Sequence, residues 1–134
     1  MRETSKALYL VSGILNIICV FVLIVLASII GSYSNNKEFL DEIIKSSTTI
    51  KTYEEAKTFI GVFIFFMVVL IIAYMVEICL TYVARKNLVN NSSSIAIHIV
   101  MIVLAAISGN IFLLIASVFG VAAIAEDNKK NNIE

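Results

Sequence analysis

Between Ala7 and Ile30 the chain carries no charged residue, and between Phe59 and Val76 it carries none again. As helices rising ~1.5 Å per residue, these runs match the ~30 Å hydrocarbon core of a bilayer. Backbone in hydrocarbon must satisfy its own hydrogen bonds, so runs of this kind fold as helices. Composition agrees: of 134 residues 60% are hydrophobic and 15% charged, and the mean hydropathy is +0.96. A soluble domain of this size cannot hide so much apolar surface, so the predicted fold class is an all-α integral membrane protein. Proline is absent, so no helix is broken by it, and tryptophan is absent, so tyrosine must supply any interfacial aromatic belt.

Four spans are expected, at about residues 7–31, 57–84, 93–108 and 110–126, within a single membrane domain covering 1–134. The stretch from Ser94 to Ala125 is too long for one span, at roughly 48 Å. Gly109 suits the residue after a helix, and Asn110 suits the N-cap of the next. A tight hairpin between spans three and four is therefore predicted, giving a four-helix transmembrane bundle. A re-entrant hairpin that stops short of the far face is the alternative. The basic start, the long apolar run and the lack of an A-x-A site predict an uncleaved signal anchor that is itself span one. Ile18 before Cys19 argues against a lipoprotein signal.

Basic residues set the orientation. Arg2 and Lys6, Arg85 and Lys86, and Lys129 and Lys130 flank the spans, and the positive-inside rule puts all three sites in the cytoplasm. Both termini are then inside, in a bacterial plasma membrane. The Asn-, Lys- and Ile-rich composition suggests the bacterial host. The outer segment, residues 32–58, carries four lysines and five acidic residues. Tyr9 and Tyr82 are placed near the inner interface and Tyr33 near the outer one.

The outer segment is patterned. "NKEFLDEIIK" puts Phe39, Leu40, Ile43 and Ile44 on one face of a short amphipathic helix. That face either caps the bundle or docks a partner. "TYEE" reads as a capping box from Thr52 to Glu55, opening a helix that runs from Tyr53 to about Asn87.

Ionisable groups at membrane depth face the interior and find partners. Glu77 and His98 are two such groups, and Asn16 falls in the same layer when depth is counted from the span ends. The layer is expected to satisfy Glu77 through His98 and Asn16. It would act as glue fixing helix register, as a pH-sensing or proton-carrying pair, or as a socket for a partner's polar group. Ala105 and Gly109, and Ala116 and Gly120, lie four apart, as small residues do where helices approach closely, either spans three and four or another subunit. Cys19 and Cys79 fall in apolar runs and are expected to be buried free thiols.

No catalytic arrangement, phosphate loop or metal-ligand spacing stands out, so no enzyme activity, cofactor or metal is predicted. Zero net charge gives no basis for nucleic-acid binding. The expected partners are the lipid bilayer and a larger membrane protein or a second copy of the chain. The leading function is an accessory subunit of a transporter or secretion complex. The alternatives are an immunity or envelope-stress protection protein, and a small transporter or channel using Glu77 and His98.

The order of segments resembles a family. "NKEFLDEIIK", "TYEEAKTFIGVF", "VARKNLVNNSSSIAIHIVMIVLAAISGN" and "IFLLIASVFGVAAIAEDNKK" are similar in order and apolar pattern to small Gram-positive membrane proteins of the "domain of unknown function 4064" family. That resemblance implies the four-span plan and the host class, and no chemistry. The chain departs from the family in its sparse glycine and in an inner loop without proline.

Overall fold

Every regular element is helical in the computed structural model, which describes residues 1–133, with side-chain surroundings to residue 131. The order is α1 (Arg2–Ser32), α2 (Lys37–Ser46), α3 (Tyr53–Val89), α4 (Ala96–Ser108) and α5 (Ile111–Ile133). Among the described residues three stretches are long and apolar enough to cross a membrane: Arg2–Ser32, Tyr53–Val89 and Ile111–Asn131. The stretch expected as span three is shorter. α4 has 13 residues, about 20 Å. It cannot lengthen, because both of its ends are fixed by local chemistry.

At its start, Asn91 takes φ +56° and the Ser92 hydroxyl accepts the Ser94 N–H at 3.2 Å. Such local side-chain bonds compete with a helix and delay α4 to Ala96. At its end Gly109 takes φ +70°, a left-handed conformation glycine adopts freely, and its N–H bonds the Ala105 carbonyl. Asn110 then opens α5, its Oδ1 accepting the Leu113 N–H at 3.1 Å.

The chain divides into two compact units. The first comprises Met1–Ile18 and Met75–Glu134. Its core is Tyr9, Ala84, Leu88, Met101, Ala105, Leu113, Ala116 and Ile124. α4 packs against α5 along their lengths. The second unit is Cys19–Tyr74. There α2 lays Leu40 against Ala56 and Ile60 of α3, with Phe39, Ile43 and Ile44 packed on the same cluster. The apolar face expected either to cap or to dock a partner is thus occupied within its own unit.

Asn36 caps α2, its side chain accepting the Phe39 N–H at 3.0 Å. The capping box that opens α3 is a variant of the expected one. Thr52 Oγ1 accepts the Glu55 N–H at 3.2 Å, but the Glu55 carboxylate reaches back one residue further, to the Lys51 N–H at 2.9 Å. Tyr53 ties α3 to α2, its hydroxyl donating to Asp41 at 2.6 Å.

Polarity runs opposite to that of a soluble protein. Phe21, Phe65, Phe66 and Ile72 are exposed, while Ser5, Ser12, Asn16, Glu77, Thr81, His98 and Ser117 are buried. Cys19 and Cys79 are free thiols, as expected, but exposed ones. An apolar run marks burial only where water is the solvent, and these helices turn apolar side chains outward.

Candidate functional site

The residues that α1 buries are Ser5, Tyr9, Ser12 and Asn16. Their spacing of four, three and four places them on one helix face. α3 contributes Glu77, Thr81, Ala84 and Leu88 at the same spacing. These two stripes of the first unit, with residues of α4 and α5, form two polar clusters.

The first cluster surrounds the turn between α4 and α5. Asn16 Nδ2 donates to Glu77 Oε1 at 2.9 Å, and Asn110 Nδ2 donates to the same oxygen at 3.0 Å. Asn110 also lies 3.3 Å from Asn16 Oδ1 and 3.2 Å from the Ser12 hydroxyl. Thr81 Oγ1 donates to the Glu77 carbonyl at 2.7 Å. Asn110 thus uses its carbonyl oxygen to start α5 and its amide to reach Glu77. The carboxylate lies near the N-terminus of α5, where the helix dipole favours negative charge.

The second cluster centres on His98, which is fully enclosed. Its Nδ1 faces the Tyr9 hydroxyl at 2.7 Å and its Nε2 faces Asn87 Oδ1 at 2.9 Å. Asn87 Nδ2 donates to the Ser94 carbonyl at 3.4 Å, which fixes the orientation of the amide. Oδ1 can only accept, so Nε2 carries the ring proton and Nδ1 accepts from Tyr9. The neutral imidazole is thereby satisfied on both sides.

Gly120 makes room for this ring. A Cβ at position 120 would lie 2.9 Å from His98 Nδ1 and 3.2 Å from the Ser5 hydroxyl. Ser5 in turn donates to the Ala116 carbonyl at 2.6 Å. Around the ends of α1, α3 and α5, Arg2 bonds Asp127 at 2.6 Å and the Leu88 carbonyl at 3.2 Å. Arg85 Nε donates to the Lys6 carbonyl at 3.3 Å.

The structure brings Asn16 and Glu77 together but separates Glu77 from His98, which were expected to pair. His98 stands on α4 within reach of Asn87, whereas Glu77 lies level with the turn at which α4 ends. Of the four small residues, Ala105 and Ala116 share the first unit's core. Gly120 clears space for an imidazole rather than for another helix backbone. A Cβ at Gly109 would meet nothing within 4 Å, so its lack of a side chain serves the turn and not a helix contact. Tyr9, assigned to an interface by its position in the chain, is instead fully enclosed beside His98.

Sequence reasoning did not assign Ser5, Ser12 and Asn87 to the site, and it read Asn110 only as a cap. A usable signal existed: the polar residues of α1 recur on one face of an otherwise apolar helix. Comparison of the chain with protein-family models, with curated proteins and with solved structures finds no match.

Proposed function

We propose that this chain is a non-enzymatic accessory subunit of a larger complex, such as a transporter or secretion component, in a bacterial plasma membrane. The observation that carries the reading lies in the second unit. Over residues 19–30 of α1 and 61–74 of α3 most residues are exposed and the rest, the buried Met67 apart, are half-buried, and Phe21, Phe63, Phe65 and Phe66 stand outward. Aromatic side chains in this density suit a packing face for other membrane helices as well as lipid.

In this reading α1 and α3 cross the bilayer, with the basic residues at 2, 6, 85, 86, 129 and 130 on the cytoplasmic side. α4 and α5 enter from that side as a hairpin and turn at the level of Glu77 and Asn16, in place of two full crossings. The hydrogen bonds from Asn110 to both residues support this, as does the length of α4. Glu77 is only about 12 Å along α3 from Arg85, which keeps the turn inside the hydrocarbon.

The bonding of these clusters favours a scaffolding role over transport. Glu77 Oε1 joins Asn16 of α1 to Asn110 at the start of α5, and His98 joins Tyr9 of α1 to Asn87 of α3, so both groups hold helices of the first unit together. The test is purification from the host in mild detergent or native nanodiscs, with mass and stoichiometry measured. A larger membrane protein at fixed stoichiometry supports the reading. A lone monomer under gentle extraction sinks it.

A further inference from the structure

The α4–α5 turn leaves polar groups unpaired at a depth where lipid offers no partner. Among the described residues no hydrogen bond reaches the carbonyl oxygens of Ala106, Ile107 and Ser108, or the N–H groups of Ile111 and Phe112. The Glu77 carboxylate beside them is only 5% exposed. Both side-chain hydrogen bonds to it fall on Oε1, and among the described residues Oε2 accepts none. Among the described residues no fully enclosed side-chain nitrogen or oxygen lacks a partner, so Oε2 is not itself fully enclosed.

Non-helical backbone at bilayer depth persists only when covered by protein or when it lines water. One feature favours protein. Ile107 and Ile111 flank the turn at 80% and 68% exposure, an apolar rim ill suited to hold water. The unpaired groups include donors and acceptors together. An ammonium, which only donates, matches half of them, whereas a carboxamide or hydroxyl matches both.

We propose that this turn, with Glu77 Oε2, is the contact point for a transmembrane helix of another protein that carries Asn, Gln, Ser or Thr at the same depth. The inference rests on the accessory-subunit reading and gives it a particular address. The test places a photoreactive residue at position 107 or, separately, at position 66 in the host membrane and maps the crosslinked peptides.

The expected result at 107 is a transmembrane peptide of another protein with one of those four residues within a helical turn of the crosslink. The yield should fall about 5-fold in Glu77→Leu and persist in Glu77→Gln. Retained crosslinking at 66 in both variants shows that the protein is still inserted and associated, and unchanged hydrogen exchange in α4 and α5 excludes misfolding of the first unit as the cause. A Ser108→Cys variant, in a Cys19→Ser, Cys79→Ser background, should resist a membrane-impermeant thiol reagent. Crosslinks at 107 only to the chain's own peptides, a partner peptide without such a residue, or rapid labelling at 108 would each overturn the proposal. Crosslinks at 66 without any at 107 overturn it while leaving the accessory reading standing. Crosslinks at neither position overturn both.

Discussion

Gly120 is the residue whose replacement has the most direct consequence. A Cβ there would sit 2.9 Å from the His98 ring, which is held on both sides and has no free direction of retreat. Gly120→Ala should destabilise the protein by about 1–3 kcal/mol. Thermal unfolding in detergent measures this, and a smaller loss in the His98→Ala background identifies the ring as the obstacle. Glu77 answers to a different rule. Glu77→Gln keeps an oxygen for Asn16 and Asn110 and should unfold near the parent temperature. Glu77→Leu leaves two buried amide donors unpaired and should cost about 1–3 kcal/mol. The hydrogen-bond chain through His98 also has a fixed direction, from Tyr9 through the ring to Asn87 and the Ser94 carbonyl. A peptide carbonyl cannot pass a proton onward, so this chain orders the helices and has no outlet as a proton wire.

Among the elements, the long helices were legible in the sequence and their contacts were not. Unbroken apolar runs, the caps at Asn36 and Thr52 and the Gly109–Asn110 break follow from local chemistry, and local chemistry is what a sequence displays. The pairing of Asn110 with Asn16, 94 residues away, depends on how far α4 extends before it turns. A span counted from residue 93 includes Ser93 and Ser94, which lie before the helix, and so sets His98 rather than Asn110 level with Glu77. The break itself can be tested. Gly109→Val forces a β-branched residue into a left-handed conformation at a cost of roughly 1–2 kcal/mol or more, while Gly109→Asn should be tolerated. In the second unit, Leu40→Ala empties the centre of the α2 contact and should cost about 2 kcal/mol or more. Hydrogen exchange should then rise in α2 while α4 and α5 stay protected.

For the whole molecule, the proposed topology makes a sidedness prediction. Single cysteines replacing Lys86 and Lys129 should be labelled from the same face of the membrane, and one replacing Lys51 from the opposite face. Labelling of positions 86 and 129 from opposite faces would mean that α4 and α5 do not return together. The collar around Asn110 also bears on how the protein is made. Its acceptor, Glu77, and its neighbours, Ser12 and Asn16, are synthesised before Asn110, so the receiving half exists when the hairpin emerges from the ribosome. Until then Asn16 and Glu77 have mainly each other. A nascent chain stalled after Val89 should therefore be the form that membrane quality control recognises, and completion of the last hairpin the event that releases it.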